Sequence, residues 1–339
     1  MKSVRISSLL RSVGVVFLFA AACWGGTVEA QAGATQAKQE GEAQQNTAEQ
    51  ERAARAKAAA AAAKAKTDAA KAKAAPQKAE LKYQVPKGKK FTIITQRKEQ
   101  RVREAMGARS VTQSEDVVDR MFEVKSMTSA GMSLETSIIK RMHVTDDPKA
   151  QKEPAFSGLA GKKTTFTLKP TGETAAFEGF DALPVIELPD DYAPLGKERY
   201  INEIRTLFPV FPAGPVGPGA SWDQTLEMDE PAGNGAAKVV FDITYTVLED
   251  APAECPDCVK VGTKYNVSVK RDAEAQGQKI TVDLKGVGSG TIYFQRKKGM
   301  FRNSETDLVL KGTIESEDKT INLPFEREYH STAWTTWLQ

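Results

Sequence analysis

Apolar and polar residues alternate with a period of two along much of the chain after Leu81. In DVVDRMFEVKSM, Val118, Phe122 and Val124 fall on one face. In the next run Met132, Leu134, Ile138, Met142 and Val144 share one parity and Glu135, Ser137, Arg141 and His143 the other, with Ile139 out of step. Such alternation over a dozen residues marks a long half-buried strand, because successive Cβ atoms leave a strand on opposite faces. TSAG between the two runs supplies a hairpin turn, so two long antiparallel strands are predicted. The same grammar returns later. Val239, Phe241, Ile243, Tyr245 and Val247 alternate, then Val259, Val261, Tyr265, Val267 and Val269, then Ile280, Val282 and Leu284. Glycine-containing breaks between several of these runs fit an antiparallel meander with one wet face.

One segment changes to a spacing of three and four. APLGKERYINEIRTLF sets Tyr200, Ile201, Ile204, Leu207 and Phe208 on one stripe, and Pro194 suits a first helical turn. It predicts one amphipathic helix packed on a sheet. FPVFPAGPVGPGASW, Phe208 to Trp222, follows directly. Its prolines fix the backbone and its glycines permit turns, so it reads as a joint that crosses between sheets and delivers Ser221 and Trp222 into a strand. A proline-rich ligand is the weaker reading, because Phe208, Phe211 and Trp222 are too apolar to be left in water.

The chain before Leu81 has another character. Residues 1–32 carry Lys2, Arg5 and Arg11, then an apolar run from Val13 to Cys23, then small residues at Ala30 and Ala32, the order of a secretory signal peptide. The run is about half the ~20 residues that a membrane-crossing helix needs. Two processing sites compete: cleavage after Ala32, and a lipoprotein-like site at Ala20-Ala21-Ala22-Cys23 that would leave Cys23 lipidated. Residues 33–80 are Ala, Lys, Gln and Glu with almost nothing to bury, which predicts a helical or disordered stalk. The stalk is a spacer in one reading and a contact for an anionic membrane or cell-wall surface in the other.

Formal charge is +3, and removing the signal lowers it to about +1, which argues against dedicated nucleic-acid binding. Of three cysteines, Cys255 and Cys258 lie in the folded part, and a lone pair in an oxidising compartment predicts a disulfide. CPDC has redox spacing, but no helix can begin there to lower the first thiol's pKa, and zinc would need two further ligands. His143 and His330 are the only histidines, and both are expected at the surface, His143 on a polar strand face. GVGSG, Gly286 to Gly290, has the composition of a phosphate cradle but no helix after it, so it predicts a bulge or bend in a sheet. Asp190 and Asp191 suit the start of the helix better than an acid pair. Trp222, Trp334 and Trp337 are expected as core and edge anchors before a stacking surface for sugar or lipid.

Thr164–Thr174, TTFTLKPTGET, and Thr291–Phe301, TIYFQRKKGMF, align at one offset: Thr164 with Thr291, Phe166 with Tyr293, Gly172 with Gly299. That suggests two similar β halves, 81–188 and 220–339, bridged by the helix and connector at 189–219. Gly88 and Phe91 early, then Phe208, Pro209, Pro218, Gly219, Ser221 and Trp222, resemble the signature of an uncharacterised group of exported bacterial β-rich proteins. The resemblance implies fold and export and no activity. A more distant likeness of architecture is to periplasmic lipoprotein carriers, whose curved antiparallel sheet cups an acyl chain beneath helices.

The expected fold is therefore mainly β: long antiparallel twisted sheets in two similar halves, one helix between them, and an Ala/Lys-rich stalk in front. The expected function is that of a non-enzymatic envelope protein, periplasmic or extracellular, without cofactor or metal. Its concave sheet would hold a lipid or other apolar ligand against Met132, Leu134, Phe241 and Tyr245. The alternative is a structural or protein-interaction component in which those residues are core. A hydrolase or thiol-redox enzyme stands behind both.

Overall fold

The computed structural model describes residues 78–105, 108–146, 156–187, 194–232, 235–275, 278–317, 319 and 322–338. The expectations for the signal, Cys23, most of the stalk, and Asp190 and Asp191 lie outside them.

Eleven strands form a single antiparallel sheet. They are β1 (Lys90–Ala105), β2 (Ala108–Thr128), β3 (Gly131–Thr145), β4 (Lys163–Leu168), β5 (Thr174–Glu178), β6 (Ser221–Ala232), β7 (Gly235–Asp250), β8 (Cys258–Ala275), β9 (Gln278–Gln295), β10 (Met300–Ser316) and β11 (Asn322–Trp337). Their order across the sheet is β5-β4-β3-β2-β1-β11-β10-β9-β8-β7-β6. The two halves read from the sequence are thus joined by pairing of β1 with β11, from Phe91 opposite Trp337 to Arg103 opposite Phe325. Contrary to the expectation, the Pro/Gly connector does not cross between sheets; with the helix it lies on the path from one edge strand, β5, to the other, β6, of a single sheet. The proposed duplication holds only locally: Gly172 (φ 104°) and Gly299 (φ 59°) both turn the chain after a strand, but six-residue β4 stands where eighteen-residue β9 would correspond.

The helix, α1 (Lys197–Leu207), begins later than the sequence suggests. Pro194 lies outside it, because Leu195 exchanges two backbone hydrogen bonds with Ile186 (2.9 and 3.0 Å) and Gly196 becomes the N-cap. The stripe Tyr200, Ile201, Ile204, Leu207 and Phe208 is buried as predicted. α1 touches both edges of the sheet: the Asn202 side chain donates to the carbonyl of Asp229 on β6 (3.0 Å), and the Arg205 guanidinium lies 5.5 Å from the ring of Phe177 on β5. In a flat sheet those edges would stand about 48 Å apart, ten strand spacings. An 11-residue helix is only about 16 Å long. The sheet must therefore curl until one helix spans its opening.

The inner face of the curl is filled at one end. Tyr83, Phe91, Phe122, Phe166, Phe208, Phe211, Phe294 and Phe301 are all at most 2% exposed and belong to one cluster. Tyr83 stacks on Phe211 (5.6 Å) and meets Phe208 and Phe294 edge-on, near the spacing at which ring quadrupoles attract. The segment before β1 enters this core as well. Leu81, Tyr83 and Val85 point inward along an extended stretch that makes no ladder. Its Tyr83 N–H donates to the Pro170 carbonyl and its Gln84 N–H to that of Gly299. Gly299 has to be glycine there on two counts, its positive φ and the approach of Gln84, whose backbone oxygen would lie 2.5 Å from an added Cβ.

A register shift between β2 and β3 rewrites the sequence pattern. Asp119 pairs with Lys140 but Arg120 with Ile138, leaving Ile139 as an extra residue. An inserted residue reverses the alternation beyond it. Met132, Leu134 and Ile138 hold the inner parity before the bulge, whereas Arg141 and His143 take it afterwards, and Met142 and Val144 turn outward at 38% and 54% exposure. His143 is consequently half-buried on the inner face, not on the polar surface that strict alternation implied.

Candidate functional site

The bulge has an electrostatic consequence. It brings Arg141 to the same side as Arg120, and both lie beneath α1 at 8% and 5% exposure. Arg141 donates to Asp116 through Nε (3.2 Å) and a terminal nitrogen (2.7 Å), and to Glu203 of α1 at 3.0 and 3.2 Å. Arg120 donates to the same Glu203 carboxylate. Burial alone would raise the pKa of Glu203, but Arg141, Arg120 and Arg199 outweigh it and hold the carboxyl well below the usual range. Further along the inner face Glu99 accepts from Arg101, and Arg327 lies 3.6 Å away; burial there too is overcome, and Glu99 is held low. Burial lowers the pKa of His143. The Glu203 contacts bind helix to sheet, and Glu203, held ionised, is poorly suited to act as a general acid or base near neutral pH.

His330 lies on the outer face, at 41% side-chain exposure. Its Nδ1 is 2.8 Å from Asp307 Oδ1 and its Nε2 is 3.8 Å from Glu305 Oε1. Cross-strand pairing sets Ser289, Asp307, His330 and Lys98 in a row, in that order. A hydrolytic triad needs the imidazole between the nucleophile and the acid; here the acid is in the middle, and Ser289 is about 9.6 Å from His330 at two strand spacings. Glu305, Asp307 and His330 do present one ligand atom each within 4.8 Å of one another, a set able to hold a divalent cation. Sequence reasoning missed it because His330 lies more than twenty residues from either carboxylate, although the i, i+2 spacing of Glu305 and Asp307 could have signalled a shared strand face. An open depression of about 630 Å³ adjoins this row, with Lys98, Glu115, Asp307, Glu328 and His330 among its lining residues.

The residues expected to form an apolar ligand face occupy other positions. Met132, Leu134 and Tyr245 are at most 3% exposed in the main core, and Phe241 is half-buried against it and a smaller cluster of Val239, Val267 and Leu310. The Met132 sulfur accepts the Val85 N–H at 3.0 Å, and Tyr245 stacks on Trp222 at 5.3 Å. None of the four lines either described cavity. The smaller cavity, about 20 Å³ between Arg120, Tyr200 and Ile204, has room for about one water.

Cys255 and Cys258 are disulfide-bonded (S–S 2.00 Å) in the turn between β7 and β8, and both are buried. GVGSG lies inside β9, with Gly286, Gly288 and Gly290 all on the inner face. An added Cβ would meet backbone oxygens of Val309, Asp307 and Glu305 at 2.4–2.6 Å. The register is regular through all three, so the site is a close approach of two strands rather than a bulge. Both neighbours pair with this stretch, which leaves its amides committed to the ladders rather than to a phosphate. Trp222 is half-buried, and its indole N–H donates to the Val210 carbonyl (2.9 Å). Trp334 and Trp337 are half-buried on β11.

No protein-family model matches the chain, and no curated protein matches it. Among solved structures it overlaps an outer membrane channel from Pseudomonas putida F1 (TM-score 0.20, 9% identity, 75% of this chain and 97% of that one). It also overlaps OccK11 (OpdR) from Pseudomonas aeruginosa (0.20, 9%, 76% and 100%) and the high-pH structure of OprB from Pseudomonas putida (0.19, 8%, 74% and 94%). Overlap at this level carries no argument about fold, location or activity. Among the described residues no helix is long and apolar enough to cross a membrane.

Proposed function

We propose that this protein is an exported, non-enzymatic component of the cell envelope: a curled β module, held by its Ala/Lys-rich N-terminal segment, that acts through its outer surface. The observation that carries this reading is the filling of the curl. α1, the Leu81–Val85 stretch and Phe208–Phe211 occupy the apolar end of the inner face, and Met132, Leu134 and Tyr245 are packed in the same cluster. The export part rests on the N-terminal sequence alone.

Organic extraction of protein purified from producing cells, followed by mass spectrometry, tests the reading. No amphiphile should be recovered in proportion to protein. One amphiphile per chain would return the inner face to the role of a carrier. Fractionation with fatty-acid labelling tests the tether separately: label that disappears on Cys23→Ala identifies the lipidated form, and unlabelled soluble protein in the exported fraction identifies cleavage near Ala32.

A further inference from the structure

One end of the curl combines exposed lysines with exposed apolar side chains. Lys87 and Lys89 flank the turn at Gly88, whose N–H donates to the Val124 carbonyl, so this turn lies beside Lys125. Lys298, in the turn before β10, places its ammonium 5.4 Å from the ring of Trp337, and the Leu338 N–H donates to the Lys90 carbonyl at 3.1 Å. These contacts unite Lys87, Lys89, Lys90, Lys125 and Lys298 with Trp337 and Leu338 on one rim.

The charges there are not balanced. Lys90 and Lys125 share Glu123, at 3.6 and 3.2 Å, and Lys125 also lies 3.6 Å from Glu135. Lys87, Lys89 and Lys298, all exposed, make no ion pair among the described residues. Neighbouring basic residues differ: Lys297 has Asp257 (2.8 Å), Arg296 has Asp250 (3.0 Å) and Lys169 has Glu173 (2.5 Å). Leu338 and Met127, on the adjacent hairpin, remain 39% and 40% exposed.

We propose that this end docks on an anionic phospholipid surface, with Lys87, Lys89 and Lys298 against the headgroups and Leu338 and Met127 at the interface. Lysines gain from a negative leaflet, and exposed apolar side chains beside them can enter the acyl boundary. The proposal rests on the outer-surface reading above, but its test uses vesicles and is independent of whether an amphiphile copurifies.

The experiment is co-sedimentation of the full chain with vesicles of phosphatidylcholine alone or with three parts in ten phosphatidylglycerol, at ~0.1 M salt. A Lys87→Glu/Lys89→Glu/Lys298→Glu variant is compared with Lys264→Glu/Lys270→Glu/Lys285→Glu, which makes the same charge change at exposed positions on β8 and β9 and leaves the N-terminal lysines in place. The expected result is binding only to anionic vesicles, reduced roughly fivefold per lysine in the first variant and far less in the second. Equal losses in both would reduce the effect to net charge and overturn the docking face. So would equal binding to uncharged vesicles, or retention on a soluble polyphosphate that falls in the first variant while vesicle binding does not.

Discussion

Replacing Glu203 by Gln keeps the shape of the side chain and removes the charge that two buried arginines share. Arg141 would retain its two contacts to Asp116 but lose those to Glu203, and Arg120 would lose its carboxylate partner. Removing one member of a buried ion pair costs about 3–5 kcal/mol, chiefly because the surviving charge stays desolvated. The amide can still accept a hydrogen bond, so the lower figure, ~3 kcal/mol, is expected, with Tm falling by roughly 6 °C. Urea unfolding followed by tryptophan fluorescence gives the value. The pair Arg120→Met and Glu203→Leu completes a cycle, in which the double variant should cost ~2 kcal/mol less than the sum of the single ones. The folded pKa of Glu203 lies below its ordinary 4.5, so its contribution is present above that pH and is lost as pH falls toward the folded value. The gap between native protein and Glu203→Gln should therefore narrow on acidification. A loss within ~0.5 kcal/mol at neutral pH, or strict additivity in the cycle, would refute the view that this network fixes the helix.

Gly299→Ala should destabilise by ~3 kcal/mol, because positive φ and the Gln84 backbone both oppose a Cβ, whereas Gly88→Ala, with positive φ but nothing within 4 Å, should cost only about 1 kcal/mol; thermal unfolding compares them. Cys258→Ala should leave the fold cooperative and cost about 2 kcal/mol, the closure entropy of so short a loop, so loss of cooperative unfolding would mean that the disulfide is essential. His143 has a folded pKa below its ordinary 6.5, so stability should decline as pH falls from 6.5 toward the folded value, and His143→Gln should flatten that slope in urea titrations.

Strands that alternate without interruption were legible, since Val239 to Val247 and Val259 to Val269 keep one parity throughout. The helix stripe was legible for the same reason. What escaped depended on contacts between distant residues. Ile139 stood out of step in the sequence, but that it is the extra residue of a bulge, and that Arg141 and His143 therefore face inward, follows only from the register against β2. Likewise the union of β1 with β11 and the entry of Leu81, Tyr83 and Val85 into the core depend on pairings across most of the chain. The candidate site suffered most: the Glu305, Asp307 and His330 set and the lysine end each gather side chains from separate strands or turns, which no local pattern records.

α1 is a fixed part of the interior and not a moving cover, and native-state hydrogen exchange of the Tyr200–Leu207 amides tests this most directly. If the ion pairs of Glu203 and the buried stripe hold the helix as described, these amides exchange only through global unfolding, with the same free energy and denaturant dependence as the central strands β1 and β11. Exchange of the whole helix through an opening several kcal/mol below the global value, with β1 and β11 still protected, would contradict it and reopen the inner face as a binding site.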